Sequence, residues 1–174
     1  MAPGIEVTDP EAYRRKLDGL LAGRDPLEVF GETPTQLRRL FAERPIGAAR
    51  TRPFEGKWTP LEVLGHLVDV EWCLGWRMRI ILGADRPAIA PMDQDDWVAT
   101  QRVNEQDLGE LLDDFEALRR INLRFWRRLT PEELQRVGLH ADRGEESLQV
   151  ILTTYAGHDL SHLDQIERYF AAID

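Results

Sequence analysis

Two histidines near the C-terminal end of the chain, His158 and His162, have the type and spacing of a metal-binding pair. They lie four residues apart in a stretch with helical periodicity, and on an α-helix this spacing places two side chains one above the other on one face. Large side chains fall within about 60° of the two imidazoles around the helix axis, namely Ile151, Tyr155, Ile166, Tyr169 and Ile173. The pair is therefore predicted to face the core, where it can bind one transition-metal ion from one side.

A third ligand is expected on a different helix. His66 lies in the middle of a predicted helix, on a stripe between Val63 and Val70, and is the natural partner of the pair. His140 lies in a glycine-containing turn with Asp142 and Arg143, so it is predicted to lie on the surface. Three neutral imidazoles around one ion leave a coordination position open for water, as in catalytic zinc sites.

Carboxylates near His66 are candidates for the acid–base and orienting groups of such a site. Glu62 and Asp69 stand at i−4 and i+3 from His66, within reach of its ring or of a water on the metal. Asp93 lies in an acidic segment further along the chain and is the third candidate. Gln165, three residues after His162, is expected to hydrogen-bond a ligand imidazole.

Other catalytic motifs fit less well. The sequence has no Walker loop, no G-x-G-x-x-G, no G-x-S-x-G and no H-E-x-x-H. Asp159 follows His158 where a zincin has glutamate, and no E-x-x-H pair precedes either terminal histidine, as a carboxylate-bridged di-iron bundle would need. A mononuclear site is therefore favoured.

Composition narrows the class of protein. The formal net charge is −9, which argues against nucleic acid as a partner, because phosphate binding requires clustered cations. A single cysteine, Cys73, excludes an intramolecular disulfide and favours the cytoplasm. The N-terminal residues show no apolar signal region, and no run reaches the ~18 apolar residues of a membrane span. A membrane association is therefore not expected.

Helical periodicity accounts for nearly the whole chain, and no segment has the period of a strand. A capping box at Thr59 and Glu62 predicts where the second long helix begins. Thr33 and Pro34 predict a helix start after a break at Asp25 and Pro26. An acidic segment around Trp97 predicts a long crossover and a lid, and a turn region is expected at 137–146. The predicted helices cover 9–22, 33–44, 60–82, 107–129 and 147–172, so the fold class is all-α, a four-helix bundle with extra short helices.

Three blocks of sequence carry a family resemblance. They are KWTPLEVLGHLVDVEW (57–72), PMDQDDWV (91–98) and GHDLSHLDQIERY (157–169). In this order and spacing they resemble the DinB/YfiT-like superfamily of metal-binding four-helix bundles, and most of all its YfiT and bacillithiol S-transferase branch. The resemblance extends from about residue 25 to the end, which predicts an N-terminal extension with a short helix (1–24) and a single bundle domain (25–174).

The resemblance implies an up-down-down-up bundle with a long overhand connection and a metal triad of His66, His158 and His162. It also implies zinc or nickel as the metal, a homodimer, and chemistry that uses a low-molecular-weight thiol. The sequence identifies no thiol pocket, although the segments around Arg77, Arg79 and Arg102 are candidates for holding an anionic cofactor.

Together these observations predict a metal-dependent enzyme that acts on a small molecule. It would be a thiol S-transferase or a hydrolase, with a water or thiolate activated at the open position and Asp69, Glu62 or Asp93 as base or orienting group. The alternative is a non-catalytic, metal-binding or ligand-binding bundle with a role in stress response. A fourth protein ligand on the metal would favour that alternative.

Overall fold

The computed structural model describes residues 10–42 and 44–173. Expectations for the first nine residues, including the absence of a signal region, lie outside these ranges. The helices are α1 (Pro10–Leu21), α2 (Pro26–Ala42), α3 (Ile46–Ala49), α4 (Pro60–Gly83), α5 (Gln94–Thr100), α6 (Leu108–Trp126), α7 (Pro131–Leu134) and α8 (Leu148–Ile173), with a 3₁₀ turn at Val103–Glu105. The strands are β1 (Ala88–Ile89), β2 (Val137–His140) and β3 (Gly144–Ser147).

Helices α2, α4, α6 and α8 form the predicted four-helix bundle, in which each helix packs against two of the others. Its apolar core has two clusters. One contains Leu37 from α2, Leu64 from α4, Phe115 from α6 and Ile166 from α8. The other contains the start of α2 and α8 with the ends of α4 and α6. Helices α4 and α6 therefore run in the same direction, opposite to α2 and α8, which confirms the up-down-down-up order.

The long crossover that two parallel neighbours require runs from the end of α4 to the start of α6. It contains β1, α5 and the 3₁₀ turn, and Val103 of that turn packs in the first core cluster. The closest approach is at Gly65, where a Cβ atom would lie 2.3 Å from Val103 Cγ1. A side chain at position 65 would therefore push the crossover away from the helix that holds His66.

Helix α2 begins at Pro26, so the predicted helix start at Thr33 was wrong. Pro34 lies inside the helix and has no N–H to donate to the carbonyl of Phe30. Arg119 of α6 donates its Nη1–H to that carbonyl at 3.0 Å. A tertiary contact thus satisfies the oxygen that proline leaves unpaired, which the local sequence does not show.

The predicted turn region at 137–146 is in fact a β-hairpin. Strands β2 and β3 pair antiparallel, from Val137 opposite Ser147 to His140 opposite Gly144, and β1 pairs parallel with β2. Gly144 has φ +74°, a conformation that glycine adopts at low cost. The hairpin packs at the end of the bundle where α8 begins, and it changes the surroundings of His140.

Helix α1 packs along α8. At Gly157 a Cβ atom would lie 2.2 Å from the backbone oxygen of Leu17. The two helices therefore approach so closely that only glycine fits at position 157. The 1–24 and 25–174 division stays a prediction. Within the described residues, no helix combines the length and apolarity that crossing a bilayer requires.

Candidate metal centre

The three predicted ligands converge from two helices. Thr59 begins α4 with the predicted capping box, because its hydroxyl accepts the N–H of Glu62 at 3.1 Å and its own N–H donates to the Glu62 carboxylate at 2.8 Å. This start fixes the register that points His66 inward, where it is 1% exposed. His158 and His162 come from the middle of α8, as their spacing predicts.

The Nε2 atoms of the three rings face one another. The Nε2 atom of His158 lies 3.3 Å from that of His66 and 3.0 Å from that of His162, and the three possible ligand atoms all lie within 4.8 Å of one another. Tetrahedral coordination with bonds of 2.0–2.1 Å places two nitrogens about 3.3 Å apart. The measured nitrogen–nitrogen distances are therefore close to those of imidazole ligands that share one metal ion.

Burial favours neutral imidazoles, and a hydrogen bond fixes the tautomer of one of them. The carbonyl oxygen of the Gln165 side chain lies 2.7 Å from Nδ1 of His162, so Nδ1 carries the proton and Nε2 has a free lone pair. Burial lowers the pKa of His66 and His158 well below the ordinary value, and their histidine neighbours lower it further. Burial lowers the pKa of His162 to about 4.

Beneath the triad, polar residues hold the helices together. Asp159, next to His158, accepts hydrogen bonds from Arg119 at 2.6 Å and from Thr33 at 2.8 Å. Arg119 also forms an ion pair with Glu71 of α4 at 2.9 Å. This buried cluster links α2, α4, α6 and α8, and its Asp159 is adjacent in sequence to the predicted ligand His158. The cluster therefore fixes the relative positions of α4 and α8.

The triad opens into a cavity of about 740 Å³. Helix α1, the crossover, the β-hairpin and the two ligand-bearing helices all contribute to its walls. Besides the triad, the walls include Tyr13, Arg14, Trp58, Arg77, Asp93, Asp95, His140, Arg143, Glu146, Thr154, Tyr155 and Gln165. A cavity of this size suits a small-molecule ligand. The indole of Trp58 lies against His66, with ring centroids 5.0 Å apart.

The three predicted catalytic carboxylates lie in different places. Glu62 forms the helix cap and an ion pair with Arg52 at 2.9 Å. Both carboxylate oxygens of Asp69 accept from the side-chain amide nitrogen of Gln101 at 3.0 Å. Burial raises the pKa of Asp69. Among the described residues that line the cavity, Asp93 is present, whereas Glu62 and Asp69 are not. The Asp93 carboxylate caps α5 by accepting the N–H of Asp96 at 3.0 Å.

Asp95 is a cavity residue that the sequence did not single out. Its Oδ1 atom is buried without a hydrogen-bond partner, and its pKa is raised by burial and by the charge of Asp93. It lies in the first turn of α5, two residues after the N-cap Asp93. Recognising α5 in the sequence would have separated the capping aspartate from the one that faces the cavity.

The prediction of a surface position for His140 was wrong. The hairpin buries its side chain to 4% exposure and places it in the cavity wall. Its Nδ1 atom accepts the N–H of Asp142 at 3.1 Å. Burial and the nearby Arg143 lower its pKa to about 4. The four histidines of the chain therefore all line this cavity, three of them as one cluster.

The sequence profile described as the DinB superfamily matches residues 30–166. The chain belongs to this superfamily. The match includes His66, His158 and His162 and the crossover between the two parallel helices, but not helix α1.

Two relatives support the same assignment. OB0782 of Oceanobacillus iheyensis is 28% identical over 111 residues, which are 64% of each chain. YfiT of Bacillus subtilis is 23% identical over 146 residues, or 82% of each chain. Both are named as metal-dependent hydrolases, and both names mark the activity as unproven. The chain thus matches less than two thirds of the length of OB0782.

The same fold occurs in a solved structure. YfiT from Bacillus subtilis, described as a "probable metal-dependent hydrolase with an unusual four-helix bundle topology", superposes with a TM-score of 0.76. The alignment covers 95% of this chain and 91% of YfiT, at 22% sequence identity. At this identity the likeness establishes the bundle topology alone.

Proposed function

We propose that the protein is a divalent-metal-dependent hydrolase whose metal is held by His66, His158 and His162. The observation that carries this proposal is the convergence of three Nε2 atoms, each within 4.8 Å of the others, at the wall of a 740 Å³ cavity. The names of the two relatives point to the same class of reaction.

The chemistry of the three side chains fits a bound cation. The Nε2 atom of His158 lies 3.3 Å from that of His66 and 3.0 Å from that of His162, and three such nitrogens cannot all find a hydrogen-bond partner within the group. Protonation is disfavoured, because the pKa of each imidazole is lowered. A divalent ion satisfies the lone pairs and, when bound, supplies a Lewis acid that lowers the pKa of a water or thiol ligand.

Residues around the triad position the site and move protons. Gln165 accepts from Nδ1 of His162 and donates to the hydroxyl of Tyr169 at 2.8 Å, which holds the imidazole in one tautomer and orientation. Asp95 is the carboxylate best placed to take a proton at Oδ1, because that atom is unpartnered and its raised pKa suits proton transfer. Trp58 packs against His66 and shields it from solvent.

An open coordination position favours catalysis over a purely structural metal. In the described part of the chain, the group of possible ligands consists of three histidines and no carboxylate or thiol. Structural zinc sites have four protein ligands, whereas catalytic sites have three and an exchangeable water. The non-catalytic alternative is therefore less well supported.

Thiol S-transfer is the second candidate, and the cavity favours it by size and charge. Its volume accommodates a low-molecular-weight thiol together with a small electrophile, and Arg14, Arg77 and Arg143 lie in its wall. Zinc or nickel as the metal, and the homodimer that the resemblance implies, stay predictions.

Metal content separates the triad from the fourth histidine. We expect about one equivalent of divalent metal in the purified chain, and at least a tenfold loss of affinity in His162→Ala, since that variant loses a ligand. His140→Ala is the matched control, because it removes a buried histidine of the same cavity outside the triad. Unchanged metal content in His162→Ala would overturn the site.

Activity assays distinguish the two reaction classes. Wild-type protein with zinc or nickel is tested on ester and amide substrates, and separately on an activated halide with low-molecular-weight thiols. Hydrolysis that is lost in His162→Ala and slowed in Asp95→Asn supports the proposal. Thiol-dependent transfer without hydrolysis would favour the second candidate, and neither reaction in the metal-loaded chain would favour the non-catalytic alternative.

A further inference from the structure

Arg77 is a buried cation without a counter-ion. It lies on α4 facing the cavity and is 3% exposed. Its Nη1–H donates to the hydroxyl of Tyr155 and its Nη2–H donates to the carbonyl of Ala90 at 3.1 Å. Its Nε atom is buried without a hydrogen-bond partner. Within the described residues no carboxylate pairs with it, although an unpaired buried charge is costly.

Two further donors of the same cavity have no partner. The Nε2 atom of His140 and the hydroxyl of Thr154 are both buried and unsatisfied. Because Nδ1 of His140 accepts the N–H of Asp142, the proton of this neutral imidazole lies on Nε2, which is therefore a donor. Arg77 Nε–H, His140 Nε2–H and Thr154 Oγ–H thus form a set that can donate hydrogen bonds to a ligand.

Glu146, a buried carboxylate of the same cavity wall, is already paired with other cations. Glu146 is 3% exposed, and its carboxylate accepts hydrogen bonds from Arg143 at 2.7 and 2.8 Å. The guanidinium of Arg14 lies 3.5 Å from the same carboxylate. Burial would raise the pKa of Glu146, but Arg143 holds it below the ordinary value. Asp142 is exposed at the rim. Among the described residues, Arg77 therefore has no direct counter-ion, although the same wall contains Asp93 and Asp95.

We propose that Arg77, His140 and Thr154 form a subsite for an oxoanion, a carboxylate or phosphate group carried by the ligand that enters this cavity. Buried donors with no acceptor, around a cation with no anion, are complementary to such a group. A group bound there accepts hydrogen bonds from donors that otherwise have no partner and neutralises the guanidinium.

The subsite lies one helical turn from the triad. Thr154 precedes His158 by four residues on α8, which is about 6 Å along the axis, and the Tyr155 and His158 rings are 5.9 Å apart. A ligand held here by its anionic end therefore presents a group several bonds away to the metal. This last step rests on the proposed function, whereas the oxoanion subsite does not.

Phosphate-dependent stability tests the subsite. The thermal unfolding midpoint of the full-length chain is measured against increasing inorganic phosphate, with sodium chloride to hold ionic strength constant. Acetate is titrated in parallel to distinguish phosphate from carboxylate recognition. Both series are repeated in the His162→Ala background, where the metal site is impaired. We expect saturable stabilisation by at least one of the two anions in both proteins.

Three variants locate the binding. Arg77→Gln is expected to weaken the anion affinity about tenfold or more, since it removes a charged donor, and Thr154→Val several-fold. Arg79→Gln is the matched control. Arg79 is an exposed arginine on the same helix that donates to the carbonyl of Gly75 at 2.6 Å, and its loss should leave the affinity unchanged.

The possible outcomes are distinct. No saturable effect of either anion, an equal loss in Arg79→Gln and Arg77→Gln, or unchanged affinity in Thr154→Val would overturn the subsite. If Arg77→Gln does not fold, Thr154→Val decides the question alone. If the protein binds the anion but no metal, the subsite is supported and the proposed function fails. If it binds metal but no anion, the proposed function is supported and the subsite fails.

Discussion

Two buried arginines, Arg119 and Arg77, are 2% and 3% exposed but have opposite surroundings. Arg119 pairs with Glu71 at 2.9 Å and with Asp159 at 2.6 Å, and its guanidinium packs against the rings of Phe30 and Phe115. Arg77 has a phenol and a carbonyl as hydrogen-bond partners and lies in a cavity wall.

The difference separates a structural role from a binding role. Burial alone would lower the pKa of Arg119, but Asp159 and Glu71 raise it above the ordinary value, so this cation is held in place by the fold. A buried charge without a counter-ion, such as that of Arg77, is stabilised when an anion binds beside it. The predictions below test whether the two arginines behave as differently as their surroundings.

The largest effect is expected at Arg119. Arg119→Met leaves Glu71 and Asp159 as unpaired buried carboxylates and also frees the carbonyl of Phe30. Removing one partner of a buried ion pair costs about 3–5 kcal/mol of unfolding free energy. Urea denaturation measures this loss, with Arg38→Met as the control for an exposed arginine that pairs with Asp113 and Glu116. A loss below about 1 kcal/mol would contradict the structural role.

His140 should contribute part of the acid sensitivity, in addition to the three triad histidines, whose pKa values are also lowered. The pKa of His140 falls from the ordinary value of 6.5 to about 4 on folding, so the unfolded chain binds more protons between these values. The contribution of His140 to stability is then complete above pH 6.5 and is lost as pH falls toward 4, by up to about 3 kcal/mol. In His140→Gln the loss of unfolding free energy between pH 6.5 and 4 should be smaller by that amount. An unchanged slope from pH 6.5 to 4 would contradict the burial of His140.

The contact between α1 and α8 can be broken without touching Arg119. Gly157→Ala introduces a Cβ atom against the backbone of Leu17, which we expect to destabilise the protein by about 1–3 kcal/mol and to displace α1. Proteolysis near residues 10–21 and urea denaturation both report this change. Gly19→Ala in α1 is the control for helix propensity, because a Cβ atom there meets nothing within 4 Å. Equal stability of Gly157→Ala and wild type would show that α1 does not pack as closely as described.

The smallest effect on stability is expected at Arg77. Arg77→Gln loses hydrogen bonds to Tyr155 and Ala90 but also removes a buried charge that has no counter-ion, so the two changes largely offset each other. We expect an unfolding free energy within about 1 kcal/mol of wild type, measured in the absence of phosphate. A loss as large as that of Arg119→Met would mean that the two arginines play the same role.

Local spacing was enough to predict the triad. The i, i+4 spacing of His158 and His162, and the capping box that sets the register of His66, are both encoded within a few residues. Helix boundaries for α4, α6 and α8 followed from periodicity and capping residues, and the long crossover followed from the acidic segment around Trp97.

Features that depend on distant contacts were missed. Pro34 continues α2 because Arg119, far away in sequence, satisfies the carbonyl of Phe30. His140 is buried because β2 pairs with β1 from the crossover as well as with β3. Asp95 was overlooked because α5 is a short helix within an acidic segment. None of these pairings leaves a periodic signal in the chain.

The three-histidine site is tested most directly by X-ray absorption spectroscopy of the zinc-loaded chain. We predict three imidazole nitrogens at about 2.0–2.1 Å and one water-derived oxygen, with one imidazole fewer in His162→Ala and an unchanged spectrum in His140→Ala. A first shell that contains sulfur at about 2.3 Å, or fewer than three imidazoles in the wild-type protein, would contradict the site.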